Sequence, residues 1–452
     1  MTTSEGASLQ AQPKPAPTDW LGVVKQLGPG LIISAVIVGS GELIVTPKVG
    51  AKVGFTLLWF IILGCLIKVF VQIELGRFAI SQGMTTLEAM NSVPGPRLVV
   101  SWLVWLWALM FFALIFQVAG MVGGLASVFQ LAGTPLSEPM LAAVTGGSCA
   151  ALLVIGRYRM VEVLSTALVA IFTVTTLVAV GAMQTTPFAI TGAQLASGLK
   201  FHLPADFTAA FAAFGIIGVG ASELIYYPYW CLEKGYAKSV GPRDDSPSWQ
   251  KRALGWIRVM RIDAWVSCGI YTTATLAFYL LGASVLHAKG LVVEDRDMIA
   301  TLSHMYRETF GQWSYWLFLL GAFAVLYSTV FGATASNARL LADGLSLFGV
   351  VKYRDAEHRM RWVKIGCVLL PAAFTSVFLF WGEPVKLVFV GALAQAMMLP
   401  FLALAALYFR YRRTAPALRP GGAWTFCLWF ATAAMSAVGA YQLVTKLRDL
   451  VR

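Results

Sequence analysis

Two nonapeptides place an acid inside an apolar run: GSGELIVTP at residues 39–47 and GASELIYYP at residues 220–228. They agree at Gly39/Gly220, Glu42/Glu223, Leu43/Leu224, Ile44/Ile225 and Pro47/Pro228. An ion at the centre of a bilayer costs roughly 2.5–3.5 kcal/mol on insertion scales, so such a carboxylate needs a cavity, a partner cation or a bound proton. Glu42 and Glu223 are therefore the leading chemical groups. Two carboxylates with backbone carbonyls and hydroxyls beside them make a hard-oxygen cation site. The plainer reading is that each acid is protonated and bonded to neighbouring backbone, serving only helix packing.

Glycines flank both acids. Gly39, Gly41 and Gly220 permit a helix to break, and Pro47 and Pro228 are expected to limit its continuation. A break at membrane depth exposes unpaired carbonyls and amides. Gly39, Gly41, Gly220 and Ala221 thus join Glu42 and Glu223 as a candidate metal site, with Ser40 and Ser222 on the substrate path. Other polar groups in apolar segments could complete that path: Gln117, Ser328 and Thr329, Asn337, Gln395 and Tyr227. Serine and threonine in membrane helices usually bond their own backbone. Tyr226, Tyr227, Tyr229 and Trp230 read first as an aromatic belt at a membrane surface, and otherwise as faces for an organic cation. Lys68 either snorkels along its stem or serves as a built-in counter-ion for one glutamate. Glu74 and Arg77, three apart, read as a surface pair, and Gly120 with Gly124 as a helix-packing face.

The elements that must position these groups are membrane helices. Of the 452 residues 58% are hydrophobic and only 12% charged, which excludes a soluble domain and predicts an all-α polytopic membrane protein. Eleven apolar spans are expected, at about 29–47, 53–76, 98–129, 139–156, 161–183, 207–231, 262–286, 312–338, 365–381, 387–409 and 422–445. The glutamate motifs open the first and the sixth. Two groups of five, 29–183 and 207–409, then enter the bilayer in opposite senses, an inverted repeat with a midplane site, and 422–445 is an additional helix. Residues 1–28 read as a disordered cytosolic tail.

The net charge of +12 lies mostly in alternate connections and forms no arginine-rich tract, so it signals orientation rather than nucleic acid: N-terminus cytosolic, C-terminus outside. The six cysteines show no CxxC spacing, which predicts free thiols. Residues 232–256 look like a gating loop or a plain linker. Residues 292–311 start acidic, at Glu294, Asp295 and Asp297, and are expected to turn helical. No nucleophile elbow, phosphate loop or HExxH appears, so an enzyme is not expected, nor a bound cofactor. The expected partners are the lipid bilayer and an ion or small-molecule substrate. Oligomeric state, coupling ion and direction of flux are not legible.

The segment GPGLIISAVIVGSGELIVTPKVGAKVGFTLLW, residues 28–59, resembles the first-helix region of the Nramp family of divalent metal transporters. The resemblance implies the leucine-transporter fold, metal uptake coupled to protons as a symport, and an inner (plasma) membrane of bacterial type. The divalent cation would be substrate rather than cofactor. Where the family carries Asp-Pro-Gly-Asn this chain has Gly39, Ser40, Gly41 and Glu42. Where the family has Met-Pro-His it has Gly220, Ala221 and Ser222, followed by Glu223. Thioether selection from the sixth span is thereby missing, and a hard-oxygen site for Mg²⁺, Mn²⁺ or Ca²⁺ is implied. Residues 98–129 contain no acid where the family places its proton path. The alternative is a small organic solute, an amino acid or amine, carried on the same fold.

Overall fold

The structure is a computed structural model that describes residues 13–39, 41–156, 158–202, 211, 214–215, 217–291 and 298–451. In chain order its helices are α1 Trp20–Gln26, α2 Pro29–Ile37, α3 Thr46–Val53, α4 Leu58–Gln82, α5 Thr86–Asn91, α6 Trp102–Leu131, α7 Glu138–Ile155, α8 Tyr158–Met183 and α9 Gly192–Gly198. They continue as α10 Ala221–Lys234, α11 Tyr236–Val240, α12 Pro247–Leu281, α13 Met298–Phe310, α14 Gln312–Leu347, α15 Ala356–Trp381, α16 Pro384–Arg412 and α17 Gly422–Val451. The sheet among the described residues is a two-residue hairpin, β1 Arg97–Leu98 against β2 Val100–Ser101.

Among the described residues ten helices are long and apolar enough to cross a membrane, the first of them the divided span Pro29–Val53. The remaining expected span, 207–231, reaches into residues outside the description, and its C-terminal part is α10. Burial is uneven. In the most apolar stretch of Pro29–Val53 94% of residues are buried, against 33% in α7 and 39% in α8, α15 and α17. The broken first span is therefore the axis of the bundle. The outer helices turn Ile155, Val163, Val174, Phe380 and Phe426 outward, an apolar surface that suits lipid and would aggregate in water.

Small residues let the inner helices approach. A side chain at Gly120 of α6 would meet the Pro384 carbonyl of α16 at 2.3 Å, and one at Gly124 would meet Leu326 of α14. The packing reading of this pair holds. The same interlocking holds α12 against α4 and α16 against both α6 and α17.

Three expectations are corrected. Residues 1–12 of the expected tail lie outside the described residues, but its remainder is tied down. Asp19 caps α1 by accepting from Gly22 N at 2.7 Å, and Lys14 exchanges bonds with the Ser239 carbonyl and Trp256 Nε1. The connection 232–256 is mostly helical, because Ser246 caps α12 well before the apolar stretch begins and Tyr236 and Trp249 are fully buried. Finally, neither proline stops a helix. Pro47 sits in the first turn of α3, where its missing N–H is not needed, and Pro228 lies within α10. Beside it the Ile225 carbonyl accepts from Thr86 Oγ1 at 3.0 Å. Of the outer loop, Glu294, Asp295 and Asp297 lie outside the described residues, and α13 follows as a helix.

Candidate functional site

The first span divides after α2. Val38 leaves the helix with ψ 88°, and one wide π-helical turn, Gly41–Val45, leads into α3. Ser40 lies outside the described residues. Carbonyls freed at the end of α2 need donors, and α14 supplies them: Ser328 Oγ donates to Ala35 O at 3.0 Å and Thr329 Oγ1 to Val38 O at 3.2 Å. Both hydroxyls also reach the Val325 carbonyl of their own helix, so each single proton is shared. A side chain at Gly39 would come within 2.3 Å of Thr329 Oγ1, which explains glycine there.

Glu42 is fully buried in the π turn. One carboxylate oxygen accepts from Gly39 N at 3.1 Å, and the other from Thr275 Oγ1 of α12 at 3.1 Å.

In the sixth span a bend at 217–219 precedes Gly220, the N-cap of α10. Glu223 falls in the first turn, where free amides and the helix dipole favour negative charge. Ser222 Oγ lies 2.8 Å from Glu223 Oε1 and 2.9 Å from Gln395 Oε1, and donates to one or the other. Ser222 N also donates to Gln395 Oε1 at 3.2 Å, and Gln395 Nε2 donates to Gln117 Oε1 at 2.9 Å. A polar chain thus crosses from α10 through α16 to α6. It leaves no room at Gly220, where a side chain would come within 2.2 Å of Gln395 Oε1 and 2.4 Å of Glu223 Oε2.

These groups border a narrow cavity of about 20 Å³. Its polar wall is Gln117, Ser222, Glu223, Tyr226, Thr329 and Gln395, and its apolar wall includes Met121 and the end of α2 at Val36 and Ile37, with Gly41 beside the first break. Of the residues expected from the sequence, Gly41, Gln117, Ser222, Glu223, Thr329 and Gln395 come together here; Gly39, Gly220 and Ala221 lie in the adjoining backbone.

Others do not join them. Glu42 is turned toward α12. Asn337 Oδ1 accepts from Tyr226 OH at 2.7 Å, and Ser328 braces α2. The aromatic belt is corrected: Tyr226, Tyr227, Tyr229 and Trp230 are all buried, with Tyr227 OH 2.9 Å from Met260 O and Trp230 Nε1 donating to Ser336 Oγ at 3.0 Å. Lys68 is not paired to a glutamate; it donates to the carbonyls of Phe214 and Ile217. Glu74 and Arg77 are no surface pair either. They are buried, and Glu74 Oε1 also takes Trp424 Nε1 at 2.8 Å and Arg410 at 3.5 Å.

Sequence reasoning missed three groups. Asp263 of α12 is buried and accepts from Gly28 N at 2.9 Å and Gly30 N at 2.6 Å, with Tyr227 OH 3.0 Å away. It anchors the start of α2. The rule that singled out Glu42, an acid inside an apolar span, would have found it. Thr275 carried no such signal. Met121 brings a thioether-bearing side chain to the cavity from α6, although the sixth span carries none.

Among the described residues no three of His, Cys, Asp and Glu gather in a cluster that could hold a metal. A cation in the cavity would meet one carboxylate and several neutral oxygens. That is a donor set for an ion that binds and leaves, since conduction and transport need binding weak enough for release.

A match to the family described as Natural resistance-associated macrophage protein-like spans residues 30–445. A divalent metal cation transporter MntH of Deinococcus radiodurans is 24% identical over 92% of this chain and 89% of its own. A second MntH, of Acidiphilium cryptum, is 25% identical over 85% and 82% of the two chains. Among solved structures, the Eremococcus coleocola manganese transporter superposes with a TM-score of 0.72 at 15% identity, covering 97% of this chain and 90% of that one. MhsT in complex with L-phenylalanine gives 0.58 at 13% identity over 94% and 99%. At such identities the structures speak for the leucine-transporter-like fold alone. With its apolar spans and the match along nearly its whole length, the chain is an integral membrane protein belonging to the Nramp family of membrane transporters.

Proposed function

We propose that this protein is a secondary transporter that moves divalent metal cations by alternating access around the cavity between its two helix breaks. The observation that carries the reading is the polar chain Glu223, Ser222, Gln395, Gln117 on the wall of a cavity bounded by both breaks. A metal arriving there exchanges water for the Glu223 carboxylate, the amide oxygens of Gln117 and Gln395 and backbone oxygen near Gly41, all hard donors. Met121 adds a softer group that suits Mn²⁺ better than Mg²⁺. The names of the curated relatives support the same cargo. Of the aromatic residues that suggested an organic cation, only Tyr226 borders the cavity.

The moving parts are the two halves, 29–183 and 207–409, with 422–445 outside the exchange. The N-terminal side faces the cytosol and the C-terminus faces out, in a plasma membrane of bacterial type, as the placement of basic connections supports. In the conformation described, the base of α2 is held on the N-terminal side. Lys234 pairs with Glu162 at 2.6 Å and reaches Leu27 O at 3.4 Å, and Tyr236 OH donates to Gln26 O at 2.7 Å. These bonds must part for release on that side.

The test is uptake of Mn²⁺, Mg²⁺ and Ca²⁺ into proteoliposomes loaded with a fluorescent chelator, beside a panel of amino acids and amines. Saturable metal uptake, lost in Glu223→Gln, is the expected result. An organic substrate that is transported while no metal enters would overturn the proposal.

A further inference from the structure

Lys68 lies in the middle of α4 and none of it is exposed. A snorkelling lysine would carry its ammonium to the membrane surface; this one ends inside the bundle. Its Nζ donates to the main-chain carbonyl of Phe214 and to that of Ile217 at 2.7 Å, and sits 4.3 Å from the centre of the Phe214 ring. Both carbonyls lie where the sixth span gives way to the bend before α10. Carbonyls at such a place have lost helical partners and, at membrane depth, need a donor or a cation.

A pair of backbone carbonyls with a ring face beside them is what a small monovalent cation binds when it sheds its water. We propose that the carbonyls of Phe214 and Ile217 form a monovalent-cation site that Lys68 fills permanently, as an ion tethered to α4. The chain thereby supplies from within the charge that the carbonyls of its second break require. Two consequences follow. The wild-type protein needs neither Na⁺ nor K⁺ to hold its second break, and shortening Lys68 exposes a site that a free cation of similar shape can enter. The inference does not depend on which cargo the cavity carries, because its main readout is thermal stability without metal.

The experiment compares melting of detergent-purified wild type, Lys68→Ala and Lys68→Met in chloride salts of sodium, potassium, methylammonium and choline at equal ionic strength. Wild type is expected to melt alike in all four. Lys68→Ala should melt lower and be raised saturably by methylammonium, not by choline. Lys68→Met, which keeps the apolar stem and fills the space, should gain nothing from methylammonium. In proteoliposomes Lys68→Ala should lose about tenfold in uptake, as expected for removal of charge-assisted bonds, and regain it with methylammonium. A wild-type requirement for Na⁺ or K⁺ overturns the proposal, as does a folded Lys68→Ala protein that no small cation stabilises. If Lys68→Ala is recovered only when purified in methylammonium, that recovery supports the proposal; if methylammonium does not recover it, the proposal fails.

Discussion

The two helix breaks start from nearly the same nine residues and use them differently. In both, the glutamate folds back toward the glycine three residues before it: Glu42 accepts from Gly39 N, and Glu223 Oε2 lies against Gly220, much as a capping residue does at a helix start. Beyond that the settings part. Glu42 stands in a π turn whose extra width aims it at Thr275 of α12, and it contributes nothing to the cavity wall. Glu223 stands in the first turn of an ordinary helix, with its hydroxyl neighbour shared with Gln395. A repeated motif has thus given one group that braces the scaffold and one that faces the cavity. The difference arises from the backbone turn and from what the neighbouring helix offers, not from the nine residues.

Substitution can break this contrast. Positions that only orient a ligand typically cost ten- to a hundredfold in metal affinity, so Glu223→Gln, which removes a proposed ligand, should cost about a hundredfold or more in metal affinity by calorimetry. Glu42→Gln should lower the melting temperature and cost affinity about tenfold at most. Equal losses of affinity at unchanged melting would mean that both acids hold the cargo. Asp263→Asn leaves two amides at the start of α2 without their charged acceptor. It should destabilise by about 1.5–3 kcal/mol in denaturant titrations while sparing affinity.

Alanine at either glycine tests the close approaches. Gly39→Ala and Gly220→Ala should each destabilise by roughly 1–3 kcal/mol through overpacking, but affinity should fall only for Gly220→Ala, whose new methyl displaces Glu223 and Gln395. Smaller still is Thr275→Val, which removes one bond to Glu42 and should cost about 1 kcal/mol in stability. Met121→Leu conserves volume and should leave melting nearly unchanged while shifting preference from Mn²⁺ toward Mg²⁺ in competition uptake. An unchanged preference would remove Met121 from the account of selectivity.

Much of this was legible in the chain because membrane spans make polar residues conspicuous. Glu42, Glu223, Gln117 and Gln395 stand out against apolar neighbours, and the glycines beside the acids mark both breaks. The fold followed from counting spans and noting that the motif recurs after five of them. What could not be read was direction. Nothing in GSGELIVTP says that the turn after the break is a π turn, and so nothing says that Glu42 points to α12. Partners that belong to the main chain were equally silent: the carbonyls that hold Lys68 have no sequence signature. The prolines misled because their effect depends on position, harmless in the first turn of α3 and tolerated within α10. Glu74 and Arg77 misled because spacing says who can meet but not whether a third helix covers them.

The helix α12 touches the first span along its whole length. Asp263 holds the start of α2, Ser267 meets Ser34 at 2.8 Å, Thr275 meets Glu42, and Tyr279 OH accepts from Leu57 N at 3.0 Å and donates to Gly54 O at 2.6 Å beyond the end of α3. From the first of these anchors to the last is about 24 Å of helix at the usual rise per residue. The break in the first span would otherwise let its halves swing independently, one per membrane face. Fastened to a common rigid rod they cannot. A tilt of the rod by about 5° displaces its two ends by about 2 Å relative to each other, so loosening at one face is geared to tightening at the other. The joint supplies the freedom, and α12 supplies the timing.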